Sequence, residues 1–214
     1  GGLPVIIGVE IGELITTIND CFLFGCMYLE RSLIVPANVT AIGDFFLSGC
    51  SYFNQSLSLP SGLTSIGVEF LSYCTYFDQS FIMPGSVTSI GEGFLGACAS
   101  FNQGFNLPNS LATIDDYFMW GCTSFNQNLT LPSSLTSIGE SFLSSCSSMT
   151  STVTVGSLPA TVIAESDGSF SADSSSDACY TTGISIAGSN RAAWLSRFPN
   201  RTSIPYRKLL DAGY

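Results

Sequence analysis

Cys26, Cys50, Cys74, Cys98, Cys122 and Cys146 stand 24 residues apart, one after another along the chain. Pro36, Pro60, Pro84, Pro108 and Pro132 keep the same interval, as do the isoleucines from Ile18 to Ile138 and the phenylalanines from Phe22 to Phe142. Unrelated residue types sharing one period specify a repeat architecture. Each unit is one supersecondary element that cannot bury its apolar side alone, and stacked copies bury it against one another.

The stretch from Ser124 to Cys146, SFNQNLTLPSSLTSIGESFLSSC, gives the unit its shape. Leu129 and Leu131 alternate with Asn128 and Thr130, the period-two pattern of a strand with one buried face. Pro132 removes a backbone donor and ends the pairing. Leu135 and Ile138 turn inward across the connection that follows. Phe142 and Cys146, four apart, predict one face of a short helical or 3₁₀ turn, and Leu143 adds an inward contact. The expected fold is an α/β repeat: short parallel strands stacked about 4.8 Å apart, short helical turns, and coils near 5–28, 29–52, 53–76, 77–100, 101–124 and 125–148.

A period of 20–29 residues with Leu-x-Leu strands marks leucine-rich repeats. The wording LPSSLTSIGESFLSSCSSM (131–149) and LPSGLTSIGVEFLSYCTYF (59–77) resembles the BspA-like leucine-rich repeats of bacterial surface proteins. That resemblance covers residues 13–155. It implies a non-enzymatic module displayed at the cell surface or outside the cell, adhering to a protein or glycan. Leucine-rich solenoids bind with the exposed strand face, which places the candidate ligand contacts at Ser56, Ser58, Ser80, Ile82, Gly104, Asn106, Asn128 and Thr130, with Ser32, Ile34, Thr152 and Thr154 continuing it. This face is small, polar and nearly uncharged, suited to backbone or glycan contacts rather than ion pairs.

One departure matters. Leucine-rich repeats in general place Asn or Cys three residues after the Leu-x-Leu strand, where the side chain bonds backbone; here Asn38, Gly62, Ser86, Ser110 and Ser134 hold that place. The expected substitute is a polar ladder of Asn54, Asp78, Asn102 and Asn126, with Gln55, Gln79, Gln103 and Gln127 beside it. Stacked amides can bond one another along a solenoid, each bond contributing about 1 kcal/mol net. The six periodic cysteines are expected as buried, parallel thiols acting as small hydrophobes. Cys21 and Cys179 lie off the period, paired or free.

Charge bounds the partners. Residues 1–183 hold fifteen acids against one base, Arg31, and the whole chain carries −10. Such a body repels nucleic-acid backbones. The apolar start LPVIIGVEIGELI is broken by Glu10 and Glu13, short of the roughly 18 apolar residues of a membrane span. Without histidine, Ser-His and Cys-His nucleophilic pairs are excluded and zinc is disfavoured. No cofactor or metal site is expected. Asp115 and Asp116 are read as a turn surface rather than an acid/base pair. The Asn-x-Ser/Thr matches at Asn38, Asn54, Asn128 and Asn200 are what a Ser/Thr/Asn-rich repeat gives by chance.

The organisation that follows is an N-terminal cap or truncated repeat at 1–12, leucine-rich repeats over 13–155, a degenerate last repeat with a Ser/Asp-rich loop at 156–188, and a capping helix and basic tail at 189–214. Within the last segment Ser189 is the N-cap, Trp194 the capping wedge and Pro199 the stop. The basic tail is solvated or docks on an acidic neighbour. Docking gives the alternative function, a structural spacer or decorating unit among neighbouring subunits of a surface assembly or virion.

Overall fold

The computed structural model describes residues 6–139, 141–149, 151–156 and 183–186, apart from the side chains at 152, 155, 156 and 183–186. Its coils stack as a parallel solenoid with partners 24 residues apart, Leu33 on Leu57, Ile42 on Ile66 and Ile114 on Ile138. The Leu-x-Leu segments form β2 (Leu33–Ile34), β4 (Leu57–Ser58), β8 (Leu129–Thr130) and β10 (Thr152–Gly156), and β11 (Gly183–Ile186) pairs beyond β10. The Ser/Asp-rich loop and the expected capping helix and tail of 189–214 lie outside the described residues, as does Cys179.

Each coil carries a second strand where the sequence suggested only a connection. It consists of β1 (Thr17–Ile18), β3 (Ala41–Ile42), β5 (Ser65–Ile66), β6 (Ser89–Ile90), β7 (Thr113–Ile114) and β9 (Ser137–Ile138). The Thr-Ser-Ile-Gly wording explains it. β-Branched Thr and Ile suit extended backbone, and the Thr64 N–H donates to the Thr40 carbonyl at 2.8 Å while the Thr64 hydroxyl reaches the same oxygen at 2.9 Å. The next glycine then closes the ladder, Gly67 N–H to the Ile42 carbonyl at 2.9 Å. This glycine leaves no room for a side chain: a Cβ on Gly67 would sit 2.5 Å from the carbonyl carbon of Gly43, and one on Gly91 2.7 Å from that of Gly67. Asp115 occupies the same column, and there the second ladder divides into β1-β3-β5-β6 and β7-β9.

The expected helical turns are replaced by a different backbone, and among the described residues there is no helix. In each coil three alternate residues take positive φ, for example Glu69, Leu71 and Tyr73 at 54°, 59° and 59°. Among the described residues fourteen non-glycine residues and four glycines do so. An α-helical turn would aim its amides at its own carbonyls. Here they point alternately to the two neighbouring coils: Glu69 N–H to Glu92 O at 2.6 Å, Leu71 N–H back to Phe46 O at 3.0 Å, Tyr73 N–H forward to Gly96 O at 2.7 Å. The left-handed region costs a non-glycine residue about 1–2 kcal/mol, offset by these inter-coil bonds, each contributing about 1 kcal/mol net. Phe142, Leu143 and Cys146 still face inward, which is why their spacing imitated a helix.

Two phenylalanine columns fill the interior. Phe46, Phe70, Phe94, Phe118 and Phe142 follow each other at 5.4 Å between ring centroids. Phe53, Phe77, Phe101 and Phe125 do so at 5.7 to 6.1 Å. The buried cysteines are free thiols that also bond backbone: Cys98 donates to the Leu71 carbonyl at 3.0 Å and Cys122 to Leu95 at 3.1 Å. The accepting carbonyl belongs each time to the central left-handed residue of the preceding coil. Burial pushes Cys50 up to about 12, and Cys74, Cys98 and Cys122 well above the ordinary thiol range.

Two further columns bond backbone across coils. Asn54 Oδ1 accepts the Asp78 N–H at 2.9 Å and the Gln79 amide at 3.0 Å; Asp78 and Asn102 do the same for the coils after them. The asparagines therefore hold backbone, with the glutamines as a second donor, rather than pairing amide to like amide. The serines in the place of the usual asparagine act too: Ser86 Oγ donates to the Leu63 carbonyl at 2.5 Å and Ser110 Oγ to Val87 at 2.5 Å.

Candidate functional site

The exposed side of the Leu-x-Leu strands carries Ser56, Ser58, Ser80, Ile82, Gly104, Asn106, Asn128 and Thr130, all solvent-exposed. Ile82 is 85% exposed and Ile34 69%, so the face is less uniformly polar than its serines suggest. At its start the face is regular: Ser56 Oγ donates to Ser32 Oγ at 2.7 Å, and β2 and β4 are paired.

Between β4 and β8 the ladder stops. The segments 80–83 and 104–107, in the register of β4 and β8, are not strands, and none of their backbone groups is hydrogen-bonded within the described chain. The cause lies one residue inward. The column that holds Leu33, Leu57 and Leu129 holds Phe81 and Phe105 in these two coils. Their rings stack at 5.9 Å. Both also reach toward Phe94 and Phe101, with centroids 6.1 to 6.4 Å away. Anchored by these rings in place of leucines, the two segments do not close their ladder.

A cavity of about 820 Å³ opens at this interruption. Five of the eight face residues line it, Ser58, Ser80, Ile82, Gly104 and Asn106; Ser56, Asn128 and Thr130 do not. Phe81, Met83 and Phe105 form part of its wall, and these the face reading omitted because it followed only outward positions. The signal was available as aromatic residues in a leucine column. Chemically the cavity offers free backbone donors and acceptors, a few neutral polar side chains and an apolar lining, the mixture that fixes orientation and excludes water in ligand sites. Among the described residues no His, Cys, Asp or Glu cluster is arranged to hold a metal ion. Asp115 and Asp116 lie on the other ladder, and partial desolvation, then the neighbouring Asp116 charge, raise Asp115 above the usual carboxylate range.

The repeat that builds this geometry matches a family model, the BspA type leucine-rich repeat region, in six copies over residues 6–103 and 78–173. The chain belongs to the BspA-type leucine-rich repeat family. Repeats of this kind are, in general, interaction modules. Among solved structures, the T. pallidum leucine-rich repeat protein TpLRR matches with a TM-score of 0.50 and 21% identity, over 68% of this chain and 79% of that one. A leucine-rich repeat protein from Bacteroides ovatus matches at a TM-score of 0.49 and 24% identity, over 69% of this chain; the chain spans 43% of that protein's length. No curated protein shows significant similarity.

Proposed function

We propose that this chain is a non-enzymatic binding module of a bacterial surface, which captures a protein or glycan partner on its interrupted strand face. One observation carries the reading: residues 80–83 and 104–107 present unpaired backbone groups beside a cavity of about 820 Å³. Unmade hydrogen bonds beside an apolar wall are a standing gain for a partner able to complete them, each contributing about 1 kcal/mol net. The lining carries no charge, which favours hydroxyl and amide partners over ionic ones.

The test compares the chain with a Ser80→Arg/Asn106→Arg variant on arrays of glycans and of extracellular proteins. Both side chains are exposed, so the variant should keep the parent circular dichroism and melting temperature. Loss of the parent's binding with an unchanged spectrum supports the site; undiminished binding moves it elsewhere on the solenoid.

A further inference from the structure

A second recess lies on the left-handed edge of the same coils, away from the strand face. The repeat is broken there in a concerted way. At the columns where the third coil has Glu69 and Tyr73, and the fifth has Tyr117 and Trp120, the fourth has Gly93, Gly96 and Ala97. The fourth coil is pared down between two bulky neighbours, leaving a notch of about 230 Å³. The backbones on either side are two coil spacings apart, about 10 Å. Gly93 is one of the positive-φ positions, at 71°. A Cβ there would crowd the Glu69 side chain at 3.2 Å, so the glycine holds the notch open.

The lining has a definite chemistry. Tyr73 and Tyr117 are 50% and 43% exposed, and Tyr117 and Trp120 meet edge to face at 83° with centroids 6.5 Å apart, making two walls roughly at right angles. Glu69 and Glu92 add two carboxylates. The Glu69 Oε2 accepts the Ser48 hydroxyl at 3.0 Å, and among the described residues neither carboxylate has a cationic partner. The one cation of residues 1–183, Arg31, packs against Gly8 in the first coils and does not line the notch.

We propose that this notch is a binding site for an organic ammonium group. Aromatic faces attract a cation held within about 6 Å, a distance that a group seated between coils about 10 Å apart satisfies from both sides. The two carboxylates supply the counter-charge, and the acidic body steers cations toward it. An anion is repelled by the same groups, and a neutral apolar ligand gains nothing from Glu69 and Glu92. The site shares no lining residue with the strand-face cavity, so each can fail without the other.

The experiment uses the full chain in a Trp194→Phe background, so that emission reports on Trp120. It is titrated with choline, with n-butylammonium as a lysine-side-chain mimic, and with 3,3-dimethylbutan-1-ol, the neutral isostere of choline. A saturable change with either cation and none with the alcohol is expected. Tighter choline binding assigns a quaternary ligand, tighter butylammonium binding a lysine of a partner protein. Glu92→Gln, an exposed change that spares the fold, should weaken the response at least threefold, and Tyr117→Ala about five- to thirtyfold. Absence of saturation with both cations overturns the site, as does equal binding of the alcohol or an unchanged affinity in Glu92→Gln.

Discussion

Two ladders run up the same stack with the same period, yet they meet variation in opposite ways. Along the Thr-x-Ile ladder the coils are pressed together until only glycine fits at Gly67 and Gly91, and a single aspartate at 115 divides it. Along the Leu-x-Leu ladder two coils take phenylalanine for leucine, and the face opens into a cavity. In the first the backbone sets the spacing and side chains must yield; in the second the core rings set it and the backbone yields. A repeat stack can therefore be rigid on one side and specialised on the other without losing its register.

The strongest way to break that contrast is one substitution made in both ladders. Gly91→Ala adds a Cβ 2.7 Å from neighbouring backbone and should cost about 3 kcal/mol or more. Gly104→Ala meets nothing within 4 Å and should stay within about 1 kcal/mol. Chemical denaturation measures both, and equal effects would dissolve the distinction. Next comes Phe81→Leu/Phe105→Leu, which removes the rings that hold the segments apart. Amide exchange at 80–83 and 104–107 should slow about fivefold as ladder bonds of roughly 1 kcal/mol form, while exchange at Thr64 and Thr88 stays put. Lost ring burial should keep the net stability change within about 2 kcal/mol.

Asp115→Gly sharpens the comparison from the other side. It should join β6 to β7 and stabilise the chain by about 1 kcal/mol. Because the native Asp115 holds its proton to higher pH than the unfolded chain does, the unfolded chain binds fewer protons in that window. The parent's stability should then fall as pH rises from the ordinary aspartate range through the raised native value, and the variant should lack that loss. Parallel pH–melting curves for the two would expose the error. The smallest effect is a null one. If the cavity is confined to the strand face, the buried Cys98 should resist alkylation as Cys50 should, both thiols being raised by burial, while exposed Cys21 should react at once. Rapid labelling of Cys98 would mean that the opening reaches the core.

The stacking and its period were legible because identical residues must meet across coils, and that demand writes itself into every column. The strand at Leu129 and Thr130 was legible by alternation. The strand at Ser137–Ile138 was not, since two residues are too few to show a period and glycine after isoleucine resembles a turn. The left-handed segments were misread as helix. Both backbones bury Phe142, Leu143 and Cys146, and with fourteen of the described non-glycine residues in positive φ no glycine pattern betrayed the difference. Of the candidate site, the exposed residues could be placed by register. The gap could not, because it arises from ring volume at Phe81 and Phe105, which a search of outward positions passes over.

The pattern of inter-coil bonds has a genetic corollary. Since the regular coils give the same amides and carbonyls to the coils above and below, a 24-residue block can be duplicated or lost by unequal recombination without any new interface being selected. The exceptions are the third to fifth coils, whose phenylalanines and glycines depend on who their neighbours are. In related genes, array length should drift at the flanks while these three units stay together as a block.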